Sequence, residues 1–455
     1  MTTIYEAQRR FFDSGATRPH AWRREQLQRL YDVVAGNETA IHEALHADLK
    51  KSREEAYATE TGLVLAEIRH TLKHLRKWMR PRRVRTNLLN LPAASKIYQE
   101  PLGVILVIAP WNYPFQLSLV PLAAAIAAGN TVVLKPSEMA PATAVLIERL
   151  FTENFPPELI HVVQGDGATV IPAMLRVFRF DHIFFTGSVA VGRSIYKMAA
   201  ETLTPVTLEL GGKSPVIVAG DADLAAAARR IIVGKFTNAG QTCIAPNYLL
   251  VHADIRDRLL RMLQETITRF YGPKPEQSPD YGRIINEKRF KILVGYLEQG
   301  RILSGGNYDP HTLYIEPTLI TDLTSDAAIM QDEIFGPLLP VFTYRTTAEA
   351  MDLVRRHPDP LALYLFTGSR EEVQQWVEKI RFGGGCINNT DWHFASPYLP
   401  FGGIGNSGLG AYHGKYSFER FTHPKPLLRS STRVDTAIKY PPFRGKLKWF
   451  KMFMR

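Results

Sequence analysis

At 455 residues, 45% of them hydrophobic, the chain is long enough to bury a large core and to form two or three domains. Two cysteines exclude a disulfide framework, the longest apolar runs stay well short of the roughly 20 residues a spanning helix needs, and no basic-apolar-small leader opens the chain; a reducing, cytoplasmic setting is expected. The net charge of +11 is concentrated in Lys73 to Arg85, with seven Lys or Arg and no acid, and in Tyr440 to Arg455, with five. With no nucleic-acid-binding module around them, these runs read as solvated basic faces.

In chain order, the first patterned segment is ETAIHEALHADLKKS, helical in its apolar spacing. It carries His42, Glu43 and His46 as H-E-x-x-H, but no Gly and third His follow at the spacing of a zinc protease, and no metal is expected. His70 and His74, also four apart, read as part of a solvated helix face. From residue 100 the pattern sharpens. VILVIAP (Val104 to Pro110) reads as a fully buried strand, PFQLSLVPLAAAIAAG as a helix closed by Gly129, and TVVLKP as a second buried strand. Pro141 to Asn154 is helical in pattern, LIHVVQG strand-like, Ala168 to Arg176 helical, DHIFFTG a strand and Val189 to Ala200 helical. This alternation implies βαβ units around a parallel sheet, which binds nucleotides at the carboxyl ends of its strands. A second α/β stretch runs from about Val216 to Phe382, with IIVGKF, NYLLVH, a helix from Asp254 to Tyr271, and LALYLFTG. The run RFGGGCINNTDWHFASPYLPFGGIGNSGLG is too long and too rich in glycine for a simple connector and reads as a functional or interface loop.

Cys243 stands in FTNAGQTCIAP, where the helical run Ala222 to Gly234 gives way to a Gly-Gln-Thr turn. An ordinary thiol is only a few per cent thiolate at neutral pH, so a nucleophilic cysteine needs a polar neighbour. Candidates are charges that interrupt apolar strand sequence: Glu209 in VTLELGGKSP and Glu333 in MQDEIFGPLLP. Asn112, in PWNYP after the Val104 strand, adds a side-chain amide at the ligand-binding edge. Each has a structural alternative, since a Glu before Gly-Gly can cap a turn and an Asn between Trp and Tyr can stabilise its own loop. Cys386, in GGGCINN with no base motif beside it, reads as a buried spectator.

Taken together, PWNYP, LKPSE, FTGS followed by VG, LELGGKSP, the GQTC loop, EIFGP and LPFGGIGNSGLGAYHGKYSFERFTH resemble the aldehyde dehydrogenase superfamily in order and across nearly the whole chain. The LPFGGIGNSGLGAYHGKYSFE stretch and the closing KYPPF are most similar to its class 3 branch, whose members oxidise aliphatic and aromatic aldehydes, including fatty aldehydes. The resemblance implies an α/β fold with a Rossmann-like parallel-sheet cofactor domain (1–82 and 100–208), an α/β catalytic domain (209–390), and a small β bridging element (83–99 and 391–430) that returns to the cofactor domain. A basic-aromatic tail follows at 431–455.

By the same resemblance Cys243 is the nucleophile, Asn112 the oxyanion donor and Glu209 the general base that activates water against a thioester. Lys135 and Glu138 match the adenosine-ribose ligands, and Trp111, Thr186, Gly187, Ser188 and Gly192 the pyrophosphate region. Glu333 and Phe335 match the nicotinamide-ribose anchor and its packing partner. NAD is the expected cofactor with NADP tolerated, because Glu138 repels a 2′-phosphate that Lys135 attracts. The departures are the lack of a G-x-G-x-x-G and Val189 where relatives often have Thr.

Tyr113, Trp392, His393, Phe394 and Phe401 are expected to border the aldehyde tunnel. The substrate class is a medium- or long-chain aliphatic, apocarotenoid or aromatic aldehyde, and the bridging element implies a homodimer. KYPPFRGKLKWFKMFMR alternates basic with large apolar residues and suits peripheral contact with an anionic membrane. Two other readings remain: a CoA-acylating enzyme, against which Glu209 argues, and an inactive binding protein, against which Cys243, Glu209 and Asn112 argue together.

Overall fold

The structure, a computed structural model, describes residues 2–454; Met1 and Arg455, the last residue of the basic tail, lie outside the described residues. Two parallel-rich sheets organise it. The first has six strands in the order Gly408–Leu409, Val206–Glu209, His182–Thr186, Val104–Ile108, Thr131–Lys135 and Ile160–Val162, with only Gly408–Leu409 antiparallel. The central strands Val104–Ile108, Thr131–Lys135 and His182–Thr186 are buried along their whole length because helices cover both faces, which is why they read as unbroken apolar runs.

The helix Gln116–Ala128 is buried on every side, as an all-apolar helix must be. Gly129 closes it at φ 93°, a left-handed cap that a side chain resists. Arg23 comes from the amino-terminal helices to donate to the carbonyls of Ala127 at 3.2 Å and Ala128 at 2.7 Å, placing a cation at the negative end of that helix.

The second sheet has seven strands in the order Arg301–Ser304, Thr318–Thr321, Leu338–Tyr344, Tyr248–His252, Pro215–Val218, Ala362–Phe366 and Gly384–Ile387. IIVGKF forms the last turns of the helix Leu224–Phe236, in line with the helical run Ala222 to Gly234, and one element differs from the sequence reading: the glycine-rich run supplies the edge strand Gly384–Ile387, parallel to Ala362–Phe366. At Gly385 a Cβ would overlap the Leu363 carbonyl, so this close pairing excludes any larger residue.

A third sheet joins Arg82–Val84, Ala93–Pro101 and Thr422–Ser430 in antiparallel register. The segment closing it is Thr422–Ser430, the last part of 391–430, while the glycine-rich part of that segment runs back to the first sheet and sets Gly408 opposite Glu209. Among the described residues no helix is long and apolar enough to cross a membrane.

Candidate active site

Cys243 leaves the helix Leu224–Phe236 through a short turn, Thr237–Gly240, in which Asn238, Ala239 and Gly240 all have positive φ, at 54°, 51° and 74°. Two consecutive non-glycine residues in that region cost about 1–3 kcal/mol each and persist only where their surroundings over-determine them. Here they do. Asn238 N donates to Glu55 Oε1 at 2.8 Å and Asn238 Nδ2 to the Asn112 carbonyl at 2.8 Å. Gln241 Nε2 donates to the carbonyls of Asn238 at 3.0 Å and Arg283 at 2.9 Å, while its Oε1 accepts from Ile285 N at 3.0 Å. Asn112, buried, donates Nδ2 to the Gln241 carbonyl at 3.0 Å, which leaves its second amide hydrogen for another acceptor. Tyr113 Oη lies 2.5 Å from Thr242 Oγ1. The PWNYP loop and the cysteine loop are thus sewn together.

The electrostatics of this centre are those of a desolvated acidic site. Glu209 ends its strand buried, and neither carboxylate oxygen has a hydrogen-bond partner; burial drives its pKa well above the usual carboxylate range, only partly opposed by Arg420. Glu333 is pushed up to about 8 by burial, against the pull of Arg289 and Lys213. Burial also raises the Cys243 thiol, and the charges of Glu333, Glu209 and Asp391 add to it. These causes place the thiol in the same electrostatic environment as both glutamates.

At the carboxyl edge of the first sheet, Lys135 Nζ pairs with Glu138 Oε2 and donates to the Pro136 carbonyl at 3.1 Å, and Glu138 Oε1 accepts from Gly167 N at 3.2 Å. The two are therefore engaged with each other rather than both free. Thr186 Oγ1 is buried without a partner, and Ser188 caps the helix Val189–Ala200 by accepting from Val191 N. Gly187 N donates to the Glu209 carbonyl at 3.0 Å. A Cβ at Gly187 would come within 2.6 Å of Phe185 Cζ, and one at Gly192 within 2.6 Å of Leu210 Cδ2, so the ends of those two side chains pack into the space a Cβ would take. Trp111 and Phe335 meet edge to face, centroids 5.1 Å apart, and Glu333 Oε1 is buried without a partner. A charged pair at the strand end, a capped helix start and an orphaned carboxylate oxygen form a donor set that fits a dinucleotide.

The aromatic candidates separate. Phe394 lines a small cavity with Leu63, Glu67, Gln116, Val120 and His413. Phe401 is buried, stacked on His413 at 5.4 Å and tilted against His393 at 5.8 Å. Trp392 is 60% exposed, on the surface rather than in that cavity. His393, its pKa lowered to about 4 by burial, sets Nδ1 3.6 Å from Cys386 Sγ, so Cys386 is a half-buried partner of His393 and not the isolated buried thiol expected.

Other sequence motifs resolve into structure. His42 Nε2 lies 3.0 Å from Thr61 Oγ1 and His46 Nδ1 3.1 Å from the Lys51 carbonyl, so their rings serve packing contacts. Among the described residues no group of three His, Cys, Asp or Glu is placed to hold a metal ion. His70 and His74 are half-buried in a column with Trp78 and Tyr398, a correction to the solvated face. Sequence reasoning passed over Lys51, Glu55, Glu60, Lys235 and Asp391, all of which face the centre or its loops; buried Lys235 is lowered to about 7 and Asp391 raised to about 8, both chiefly by desolvation. A lysine in HADLKKSREEA carries no local mark that distinguishes it from a solvated one.

A thiol beside buried carboxylates, at the mouth of a dinucleotide-type sheet, defines a cysteine-dependent oxidoreductase site. The profile of the Aldehyde dehydrogenase family matches residues 2–427, and the chain belongs to that family. It is an NAD(P)-dependent aldehyde dehydrogenase. Its sequence is 48% identical over 447 residues to 4,4'-diaponeurosporen-aldehyde dehydrogenase of Staphylococcus aureus, covering 98% of this chain and 97% of that one. It is 44% identical to aldehyde dehydrogenase family 3 member H1 of Arabidopsis thaliana, covering 97% and 92%. The solved substrate-bound state of Staphylococcus aureus AldH superposes with a TM-score of 0.97 at 46% identity, covering 100% of this chain and 99% of that one.

Proposed function

We propose that Cys243 is the nucleophile of aldehyde oxidation, Asn112 its oxyanion donor and Glu209 its hydrolytic base. The observation that carries this reading is the buried, unpartnered Glu209 carboxylate in the electrostatic environment of the Cys243 thiol. The Cys243 thiolate adds to the aldehyde carbon, and the alkoxide of the thiohemiacetal is received by the free amide hydrogen of Asn112 and the Cys243 backbone N–H. A bound nicotinamide dinucleotide would accept the hydride that leaves the thiohemiacetal carbon as the alkoxide re-forms a carbonyl, which gives the thioester. Glu209 then takes a proton from water, whose oxygen attacks the thioester carbon, and the acid departs as the Cys243 sulfur regains its electron pair. Thr186, Gly187, Ser188 and Gly192 would hold the pyrophosphate, Trp111, Glu333 and Phe335 the nicotinamide end, and Lys135 with Glu138 the adenosine ribose, favouring NAD while tolerating NADP.

The substrate class we assign is a long apolar aldehyde, fatty or apocarotenoid. What supports this assignment is the Staphylococcus aureus relative, which is named for such an aldehyde. The tail helix Leu447–Phe453 leaves Leu447, Trp449 and Met452 exposed beside Lys448 and Lys451, a composition suited to peripheral contact with an anionic membrane surface from the cytoplasm. The three sheets support a division into cofactor, catalytic and bridging units, and the open edge of Thr422–Ser430, with Leu427 and Leu428 exposed, supports a homodimer.

The test is NADH and NADPH formation with aldehydes from acetaldehyde to hexadecanal plus benzaldehyde, on wild type and Cys243→Ala. Turnover rising with chain length and lost in the variant is expected; turnover confined to short or aromatic aldehydes would remove the apolar substrate class. Liposome flotation of the full chain against one ending at Lys439 tests the tail, and light scattering of Leu428→Pro tests the dimer edge.

A further inference from the structure

Behind the two loops that carry Asn112 and Cys243 lies a fully buried ion pair that the reaction itself does not use. Lys51 and Glu60 both have side chains at 0% exposure, with Nζ 2.5 Å from Oε1. Burying two charges is costly unless geometry and further hydrogen bonds compensate, so the remaining partners show what the pair is for. Lys51 Nζ also donates to the Asn112 carbonyl at 3.1 Å and lies 4.0 Å from the centroid of the Tyr113 ring. The other oxygen of Glu60 accepts from the backbone N–H groups of Phe115 and Gln116, each at 3.0 Å, where the PWNYP loop enters the buried helix. One pair therefore grips this loop at Asn112 itself and at the end where it enters the helix.

Glu60 reaches this position because residues Tyr57–Thr61 form a π-helical turn, a widened turn that re-aims side chains and recurs at functional sites. Gly62 closes it: a Cβ there would lie 2.7 Å from the Tyr57 carbonyl. One turn earlier, Glu55 accepts from Asn238 N, holding the left-handed residue of the cysteine loop. The Asn112 carbonyl receives both Lys51 Nζ and Asn238 Nδ2, and is the point where the two grips meet.

We propose that Lys51 and Glu60, with Glu55, are positioning residues that hold the Asn112 amide in register with the Cys243 loop, and so set the geometry in which the aldehyde oxygen is received. The proposal rests on the roles given above to Asn112 and Cys243. It predicts a selective defect: capture of an aldehyde needs the oxyanion contact, whereas alkylation of Cys243 by iodoacetamide is a displacement at a saturated carbon and needs only the thiol.

The experiment compares wild type, Glu60→Gln, and the paired replacement Lys51→Met with Glu60→Gln, which removes both charges together and leaves neither buried alone. Each is measured for kcat and KM with one aldehyde, for the iodoacetamide rate at Cys243, and for thermal unfolding. The paired variant should melt as a single folded protein, keep the alkylation rate within about twofold, and lose about 100-fold in kcat with little change in KM, the scale expected for a misplaced catalytic group. Glu60→Gln, which keeps Lys51 on the Asn112 carbonyl, should fall between the two; it carries the test alone if the paired variant does not fold. Turnover within about threefold of wild type in the folded variants, or an equal fall in alkylation and turnover, would overturn the proposal. Asn112→Ala and Cys243→Ala are run beside them: full turnover in either one removes the catalytic reading itself, independently of Lys51 and Glu60.

Discussion

Glu333 lies so close against the backbone of Gly211 that a methyl group at Gly211 would overlap its Oε2 carboxylate oxygen. The LELGG turn is therefore bare of side chains because a carboxylate from a segment more than a hundred residues later occupies the space a Cβ would take. Gly211→Ala should displace Glu333 without emptying any core. With Glu333 read as the nicotinamide-ribose anchor, KM for the dinucleotide should rise about tenfold, a change of about 1.4 kcal/mol. Dinucleotide titration by fluorescence quenching checks it; unchanged affinity would take Glu333 out of that role.

Glu209→Gln should slow thioester hydrolysis by about 100-fold or more, leaving a rapid first turnover of NADH per active site followed by slow release. Stopped-flow absorbance separates the two phases. An unchanged steady-state rate would remove Glu209 from the base role.

The same residue makes a stability prediction. Its pKa is higher in the folded than in the unfolded chain, so its favourable contribution is complete below the ordinary carboxylate pKa and is lost as pH rises toward the raised folded value. Glu209→Gln removes that loss. Melting temperatures of the two proteins should coincide near pH 4 and diverge in favour of the variant as pH approaches 7, and parallel curves would contradict the buried, uncompensated carboxylate.

Burial first, and then Glu333, Glu209 and Asp391, hold the Cys243 thiol above the ordinary cysteine range, so the thiolate is scarce at neutral pH in the ligand-free enzyme. Alkylation by iodoacetamide should be slower at pH 7 than for a free thiol and should still be rising above about pH 9. Glu333, pushed up to about 8, is mostly uncharged at neutral pH, so Glu333→Gln should change the rate little there and should speed the reaction above about pH 8, where the wild-type carboxylate is charged. A flat rate between about pH 6 and 9 would mean that the thiolate is already formed.

The ion pair between Lys135 and Glu138 sits where the adenosine ribose is proposed to lie. Glu138→Gln removes one partly exposed negative charge, an effect on the order of 1 kcal/mol, and should raise the NADP to NAD ratio of kcat/KM by about tenfold. An unchanged ratio would place the 2′-position of the ribose elsewhere.

Much of the fold was legible because strands buried on both faces must be apolar throughout. VILVIAP, TVVLKP and DHIFFTG could only be interior strands of a covered parallel sheet. Cys243 also announced itself by standing after a polar turn, and the ordered motifs around it carried the family. The edge strand Gly384–Ile387 was not legible: glycine has no strand propensity, and only the folded chain shows that the Leu363 carbonyl lies where a side chain at Gly385 would stand. Within 391–430 the limits of the closing strand Thr422–Ser430 were not readable, since most of it is exposed and shows no buried face.

What the sequence by itself determined is the covalent chemistry available: one cysteine after a Gly-Gln-Thr turn, a glutamate ending an apolar strand, an asparagine in PWNYP. Only the tertiary structure decided which charges surround them. Lys51, in the break after the helix Glu38–Leu49, and Glu55 and Glu60, in the helical turns that follow, have the charge pattern of a solvated face, yet Lys51 and Glu60 are buried and all three hold the active-site loops. The physical reason is that a charge's effect depends on its dielectric surroundings and on what lies within a few ångströms, and both are set by segments brought together from distant parts of the chain.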